Sequence, residues 1–273
     1  MSTRRRIYLL RHAEVAYFDE DGQPVAPDEV PLTPAGRHQA EQAGAALAGV
    51  RFDRVLTSGL PRTVETAHLV LTAASAMGEP TPPSTPDPQQ TGSRSAPASR
   101  PTPAPAAGGN TQPPVEEWPE LRELMPGRLA DLAPEELEAA FLGAFRGVPA
   151  GPSRFLGGET IDELFDRVLP ALERLLGDPS WDTALVVLHG GVNRALLSFA
   201  LGGRRLFLGA IEQAPACINV LDADQGGGLV VRAVNAPPGT PPTWPAARPP
   251  WRSCGPSTRV PSRLDRRWPT PGG

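Results

Sequence analysis

The sequence predicts a three-layer α/β/α sandwich with a mainly parallel sheet, and three observations support this fold class. Short apolar runs alternate with segments of helical periodicity along most of the chain. Two of the runs, residues 7–10 and 184–188, are apolar at every position, which is typical of parallel strands buried on both faces. Most of the proline lies outside this pattern, so the alternating part can form one domain with helices on both faces of its sheet.

Proline marks two segments that we expect to be disordered. Of the 35 Pro residues, 11 lie in residues 80–114 and 11 in residues 237–273. The first segment is rich in Pro, Ser, Thr, Ala and Gln and has no apolar periodicity, and the second is rich in Pro and Arg. Such compositions favour disorder. We therefore predict one folded domain over residues 4–236, interrupted by a disordered insert at 80–114 and followed by a disordered tail at 237–273.

The first half of the domain shows two units of strand followed by helix. Residues 7–10 form the first predicted strand, and a polar loop follows. Thr33 suits an N-cap and Pro34 the first helical position, so a helix is predicted from Pro34 to about residue 48. Residues 55–57 form the second strand, which ends at Ser58-Gly59. A second helix is then predicted by four apolar residues at helical spacing: Leu60, Val64, Ala67 and Leu71.

The second half continues the alternation after the insert. Residues 117–121 are a weaker strand candidate, and Pro134 opens a short predicted helix toward Phe145. The most strongly amphipathic helix is expected over residues 161–176. Then follow, in order, a strand at 184–188, a turn at 189–191, a helix at 192–201 and strands at 217–221 and 229–234.

Composition excludes several chemistries. All 26 cationic residues are Arg, and without any Lys the chain cannot be a P-loop, Schiff-base or pyridoxal-phosphate enzyme. It has two Cys, Cys217 and Cys254, which excludes a Cys-rich zinc module, a four-Cys iron–sulfur cluster and a disulfide framework. With four His in the chain, a histidine chemistry has few places to occur.

Charge bears on the expected partners. The insert carries a net charge of +1 and the tail +5, which leaves −10 for the folded part of a chain whose net charge is −4. An acidic domain binds nucleic acid and anionic membranes poorly, so neither is an expected partner. Its apolar runs are all far shorter than a membrane span, and we expect a cytoplasmic protein.

The predicted strands end at polar residues that carry chemistry. Because ligands of such sheets bind outside the carboxyl ends of the strands, these residues are expected to meet at one edge. They are Arg11, His12, Ser58, Arg62, Glu123 and His189. Helix N-termini at residues 58–62 and at Gly190-Gly191 would add backbone N–H donors. The cluster predicts an anion site suited to a phosphoryl group. The one carboxyl group in it, when protonated, can give its proton to a leaving-group oxygen.

These residues resemble the motifs of the histidine phosphatase superfamily, also called phosphoglycerate-mutase-like. Arg11-His12-Ala13-Glu14 is similar to its Arg-His-Gly-Glu signature, and His189-Gly190-Gly191 to its second His-Gly motif. Four further segments match its pattern in order: Leu32-Thr33-Pro34-Ala35-Gly36 with Gln39-Ala40, Ser58-Gly59-Leu60-Pro61-Arg62 with Thr66-Ala67, Leu121-Arg122-Glu123 with Gly127, and Gly158-Glu159-Thr160. Ala13 departs from the pattern, because Gly is usual there.

The resemblance implies a metal-independent phosphomonoester hydrolase with no cofactor and a small phosphorylated substrate. His12 would be the nucleophile that forms a phosphohistidine, with its other ring nitrogen held by a backbone carbonyl. Glu123 would be the general acid and then the base. The phosphoryl group would be bound by Arg11, Arg62 and His189, with Ser58 and Gly190 as further hydrogen-bond donors.

Two alternatives stay open at this point. A phosphoglycerate mutase would share the framework, but family mutases grip their substrate with an Asn soon after the first motif, a Phe-Thr-Gly-Trp stretch and a Lys, whereas this chain has Tyr17-Phe18-Asp19 and no Lys. A non-catalytic phospho-ligand binder would typically have lost a site residue. Among the other candidates, His38 and His68 are predicted to be structural or exposed. Glu14 could line the pocket or be an ordinary loop acid, and Trp118 could belong to the core or to the pocket rim.

Overall fold

The computed structural model describes residues 4–17, 25–26, 28–76, 112–127, 145, 147–202, 204–224 and 226–240. The elements in chain order are β1 (Arg5–Arg11), α1 (Pro34–Ala46), β2 (Arg54–Thr57), α2 (Pro61–Ala76), β3 (Val115–Glu117), a short 3-10 helix (Pro119–Leu121), α3 (Ile161–Gly177), β4 (Thr183–Leu188), α4 (Gly190–Gly202), β5 (Ile218–Ala223) and β6 (Leu229–Ala236). The predicted insert and tail, and the short helix predicted from Pro134, lie largely outside the described residues.

The strands form one six-stranded sheet in the order β3-β2-β4-β1-β5-β6. The pairs β2–β3, β2–β4 and β1–β4 are parallel, whereas β5 and β6 run antiparallel. The prediction of a mainly parallel sheet is therefore confirmed. Because β1 and β4 pair directly and β2 lies beside β4, the carboxyl ends of these three strands lie at one edge of the sheet.

Helices cover both faces of this sheet. On one face, Ile7 and Leu9 of β1 pack in a core with α3 and α4. On the other face, Tyr8 and Leu10 pack in a second core with α1 and α2. Successive side chains of a strand point to opposite faces, so a strand between two helical layers must be apolar at every position. This explains the uninterrupted apolar runs at β1 and β4.

Side-chain caps start two of the helices. Thr33 Oγ1 accepts a hydrogen bond from Gly36 N at 2.9 Å, at the start of α1. Thr160 caps α3, where its Oγ1 accepts from Glu163 N at 3.1 Å and its own N donates to Glu163 Oε2 at 2.7 Å. Such reciprocal bonds satisfy backbone donors that a helix leaves unpaired. The predicted starts of both helices are confirmed.

The prediction of a strand over residues 117–121 is wrong. The strand β3 ends at Glu117, and Trp118 N still donates to Thr57 O of β2 at 2.8 Å. Pro119 has no N–H to continue the ladder, and its fixed φ suits a helical turn. The chain therefore turns into a 3-10 helix whose Leu121 N donates to Trp118 O at 2.9 Å. Trp118 itself is buried in the core.

The predicted turn at residues 189–191 is also wrong, because α4 already begins at Gly190. Asn193 N donates to His189 O at 2.9 Å and closes the first helical turn. Glycine at position 191 is explained by the close approach of the Glu123 side chain rather than by a turn, since a Cβ atom there would lie 2.6 Å from Glu123 Oε1. Within the described part of the chain, no helix is both long and apolar enough to cross a membrane.

Candidate active site

The predicted site residues follow three strands whose carboxyl ends share one sheet edge. His12 comes directly after β1, Ser58 after β2 and His189 after β4, while Arg62 lies in the first turn of α2. The rings of His12 and His189 are 5.3 Å apart between centroids. Glu123 reaches the same place by hydrogen bonding to the start of α4. The structure thus brings together the residues that the strand ends predicted.

The backbone and ring of His12 are both fixed. Its N donates to Leu188 O at 2.8 Å, and its O accepts from Ala216 N at 3.2 Å. The ring Nδ1 lies 2.8 Å from Ala13 O. Because a carbonyl oxygen can only accept, Nδ1 carries the hydrogen and Nε2 keeps a lone pair. This is the backbone-carbonyl contact that the resemblance implied for one of the two ring nitrogens.

Burial and neighbouring charge keep His12 neutral. The pKa of His12 is lowered to about 3, mainly by desolvation and also by the positive charges of Arg11 and Arg62, against the opposing effect of the bond to Ala13 O. The pKa of His189 also lies well below its ordinary value, first because of burial and then because of its cationic neighbours and His12. Both rings are therefore uncharged at neutral pH.

Hydrogen bonds to hydroxyl groups orient the His189 ring. Ser58 Oγ lies 2.8 Å from His189 Nε2 and 3.1 Å from Thr63 Oγ1, which donates to Leu60 O. Because Thr63 uses its hydrogen on a carbonyl, Ser58 donates to Thr63 and His189 Nε2 donates to Ser58. The buried Nδ1 of His189 has no hydrogen-bond partner among the described residues. Ser58 thus holds His189, and a bond from Ser58 to phosphate stays a prediction.

The two arginines that the sequence predicted, Arg11 and Arg62, supply positive charge to the site. Arg11 Nη1 donates to Gln213 O at 2.6 Å, while its buried Nε has no hydrogen-bond partner within the described part of the chain. Arg62 is 6% exposed, and burial lowers its pKa. Its backbone is held by Thr66, whose Oγ1 donates to Arg62 O at 2.6 Å and accepts from Ala13 N at 3.1 Å. Two charged arginines next to two neutral histidines leave the site ready for an anion.

Glu123 is held by backbone donors at the start of α4. Gly191 N lies 3.0 Å from Oε1 and 3.1 Å from Oε2 of Glu123, and Leu124 N donates to Oε1 at 2.9 Å. Both donors reach Oε1, which leaves Oε2 able to carry a proton or to release it. Gly190, the first residue of α4, lies against Arg11, because a Cβ built on it would be 3.6 Å from Arg11 Nε.

Ala13 fits where the family pattern has Gly. It is fully buried, and it is not among the described residues with positive φ. An L-residue at negative φ carries no left-handed strain. The departure from the family pattern therefore costs nothing in backbone energy.

The remaining candidates lie outside this cluster. His38 and His68 are exposed on α1 and α2, as expected. Glu14 is exposed, and its carboxylate accepts a hydrogen bond from Thr33 Oγ1 at 2.8 Å, so it belongs to the loop that starts α1. Among the described residues, no three His, Cys, Asp or Glu side chains form a group that could hold a metal ion.

A buried polar network behind Arg11 was not predicted from the sequence. Gln213 is 3% exposed, and its Oε1 accepts from Asn193 Nδ2 at 3.1 Å and from Asn219 Nδ2 at 2.9 Å. This network fixes Gln213, whose backbone carbonyl oxygen accepts the hydrogen bond from Arg11. The segment before β5 has no motif or periodicity, so no sequence signal could have found it.

Fold and site together define an α/β protein with two histidines, two arginines and one glutamate at the carboxyl edge of its parallel strands. A family model described as histidine phosphatase superfamily (branch 1) matches residues 7–82 and 99–236. The chain belongs to the histidine phosphatase superfamily.

Individual relatives include a mutase and phosphatases by name. The chain is 29% identical over 204 residues to "Probable phosphoglycerate mutase GpmB" of Salmonella paratyphi A, which covers 72% of this chain and 75% of that protein. It is 25% identical over 248 residues to "Probable 2-carboxy-D-arabinitol-1-phosphatase" of Arabidopsis thaliana, which covers 88% of this chain and 44% of that protein. The crystal structure of the alpha-ribazole phosphatase from Shigella flexneri matches with a TM-score of 0.56 at 23% identity, over 85% of this chain and 96% of that one, and so has the same fold.

The depressed histidine pKa predicts a loss of stability in acid. The unfolded chain protonates His12 below its ordinary value of 6.5, whereas the folded protein does so only near pH 3. The free energy of unfolding is therefore unaffected by this titration above about pH 6.5. It falls as the pH is lowered toward 3, and the protonation of His12 lowers it by about 2 kcal/mol at about pH 5. Urea unfolding in phosphate-free buffer at about pH 7.5 and pH 5 measures it. Between these two pH values, we expect the free energy of unfolding of His12→Gln to fall by about 2 kcal/mol less than that of the wild type. Equal falls would contradict a lowered pKa at His12.

Proposed function

We propose that the chain is a phosphomonoester hydrolase that works through a phosphohistidine intermediate on His12. The observation that carries the proposal is the neutral ring of His12, whose Nδ1 hydrogen is directed at Ala13 O, 2.8 Å away, beside two guanidinium groups. In this state Nε2 has its lone pair at neutral pH. A nucleophile of this kind, next to a cationic anion site, suits attack on phosphorus.

The proposed first half-reaction transfers the phosphoryl group to His12. Nε2 bonds to phosphorus while the bond from phosphorus to the ester oxygen breaks. Glu123, protonated at this stage, gives its proton to that oxygen, and the alcohol leaves. The backbone N–H groups of Gly191 and Leu124 then stabilise the Glu123 carboxylate.

The second half-reaction returns the enzyme to its starting state. The Glu123 carboxylate takes a proton from water, and the water oxygen bonds to phosphorus as the bond to His12 Nε2 breaks. Inorganic phosphate leaves, His12 is neutral again, and Glu123 is protonated. No step passes through a metal ion or a cofactor.

Further residues hold the phosphoryl group in this mechanism. Arg11 and Arg62 bind its oxygens and stabilise the charge of the transition state. His189 takes up a proton from solvent at Nδ1 as the anion binds, because a nearby negative charge favours the imidazolium, and this N–H donates a hydrogen bond to a phosphoryl oxygen. The proton returns to solvent when phosphate leaves. The backbone N–H of Gly190 at the start of α4 adds a donor. The substrate is then a small phosphate ester.

A phosphoglycerate mutase is the second candidate, favoured by the relative from Salmonella paratyphi A. The relative from Arabidopsis thaliana favours a phosphatase. Two features of this chain support hydrolysis. It has no Lys to pair with a substrate carboxylate. In addition, the carboxylate of Asp28 faces the charge of Arg62, where it would repel the carboxylate of a phosphoglycerate.

Two parallel assays separate these candidates. One contains p-nitrophenyl phosphate and a panel of small phosphate esters, and the other contains 3-phosphoglycerate with 2,3-bisphosphoglycerate. We expect inorganic phosphate to be released from one or more esters and little 2-phosphoglycerate to form. Rapid formation of 2-phosphoglycerate without phosphate release would instead establish the mutase.

A further inference from the structure

Arg167 of α3 joins the helix to the segment that carries Glu123. Its guanidinium group makes five hydrogen bonds, one for each of its N–H donors. Three go to backbone carbonyl oxygens, those of Glu120 at 2.7 Å, Arg122 at 2.6 Å and Glu123 at 3.1 Å. The other two go to the carboxylate oxygens of Glu159, at 2.6 and 2.8 Å.

Glu159 holds the same segment on the other side of Glu123. Its side chain is 4% exposed, and its Oε2 also accepts from Met125 N at 3.0 Å. Its backbone N donates to Met125 O at 2.9 Å. Arg167 and Glu159 therefore bind the chain just before Glu123, at Glu123 itself and two residues after it.

No regular element positions this segment. Residues 122–127 belong to neither a helix nor a strand, and the 3-10 helix before them ends at Leu121. Backbone outside regular structure needs other hydrogen-bond partners, and here side chains of α3 and of the loop before it supply them. The Glu123 carboxylate reaches Gly191 N only while its own backbone stays in place.

We propose that Arg167, fixed by Glu159, is a positioning residue that aims the Glu123 carboxyl group at the leaving-group oxygen. The inference depends on the proposed function, in which Glu123 is the general acid. A misplacement of about 1 Å can cost ~100-fold in rate, so a loosened segment weakens proton donation before it weakens phosphate binding. The guanidinium fork is necessary, because an ammonium group has three donors and cannot make five planar bonds.

The test is the dependence of kcat/KM on the leaving group. Benzyl phosphate needs its leaving oxygen protonated, whereas p-nitrophenolate leaves readily without a proton. The kcat/KM value covers binding and the step that expels the leaving group, and the ratio for two substrates does not depend on the fraction of folded enzyme. The variants are Arg167→Lys, which keeps the charge, and Glu159→Gln, with Glu123→Gln as the reference.

We expect kcat/KM of Arg167→Lys to fall ~30-fold for benzyl phosphate and less than ~3-fold for p-nitrophenyl phosphate, and that of Glu159→Gln to fall ~10-fold for the benzyl ester alone. The matched control is Arg205→Lys. Arg205 binds the same helix through Asp166 at 2.6 Å but makes no described contact with the Glu123 segment. This variant is expected to keep the wild-type ratio.

Each other outcome overturns something specific. Equal losses for the two esters in Arg167→Lys and Glu159→Gln, with a selective loss in Glu123→Gln, would make Arg167 purely structural and overturn the inference alone. Equal losses for the two esters in Glu123→Gln would remove Glu123 as the general acid and overturn the proposed mechanism together with the inference.

Discussion

Replacing His12 by alanine is expected to lower kcat for phosphate-ester hydrolysis by at least ~10,000-fold, the scale seen when a covalent nucleophile is removed. The second buried histidine, His189, cannot take its place. His189 donates through Nε2 to Ser58 at 2.8 Å, and in the proposed mechanism its Nδ1 takes up a proton when the anion binds, so this ring has no lone pair for attack on phosphorus. The arginines remain in the variant, so phosphate should still bind as a product analogue.

Two measurements check this expectation. Steady-state assays give the fall in kcat. The second measurement uses radiolabelled substrate and stops the reaction without acid, because acid hydrolyses phosphohistidine. It should detect the phosphohistidine in the wild type and not in the variant. His38→Ala is the matched control, because His38 is an exposed histidine on α1. A His12→Ala enzyme that hydrolyses esters at the wild-type rate would overturn the mechanism.

The Glu123→Gln substitution is expected to lower kcat/KM ~100–1,000-fold for benzyl phosphate and less than ~10-fold for p-nitrophenyl phosphate. Glutamine has the same shape, and its amide oxygen can still accept from Gly191 N and Leu124 N, so the local fold is kept. It has no acidic proton to give, so an alkoxide must leave unprotonated. The selective loss follows from that chemistry.

The variant should also accumulate phosphoenzyme, because Glu123 is the base for the second half-reaction. With p-nitrophenyl phosphate we expect a burst of p-nitrophenol equal to the enzyme concentration, followed by slow turnover, measured by stopped flow. Glu120→Gln, three residues earlier in the same segment, is the control, since its carboxylate pairs with Arg174. Linear kinetics without a burst would contradict the double role of Glu123.

Much of the site could be predicted because strand ends are visible in the sequence. A strand buried on both faces stays apolar until the chain leaves the core, so the polar residue that follows marks the edge of the sheet. His12, Ser58 and His189 each follow directly on such a strand. Arg62 and Glu123 lie a few residues beyond the ends of their strands, and the same rule placed them at this edge of the sheet.

The wrong predictions came from local propensity that neighbouring groups overrode. Residues 117–121 were a weaker strand candidate, but Pro119 ends the ladder there. Gly190-Gly191 suggested a turn, whereas the structure uses Gly191 to admit the Glu123 carboxylate against a helix. Arg11 donates to the backbone carbonyl group of Gln213, and Arg167 donates to three backbone carbonyl groups; such contacts leave no pattern in a sequence.

The sequence by itself determined the layers of the fold and the identity of the residues at the sheet edge. Both depend on short-range periodicity and on where apolar runs stop. Tertiary structure alone decided which nitrogen of His12 keeps its lone pair, where the Ser58 hydroxyl points and how Glu123 is held. These features depend on hydrogen bonds between segments that are far apart in the chain. Ser58 and His189 are 131 positions apart, and Arg167 and Glu123 are 44 positions apart. Only the packing of strands and helices sets the distances on which such bonds depend.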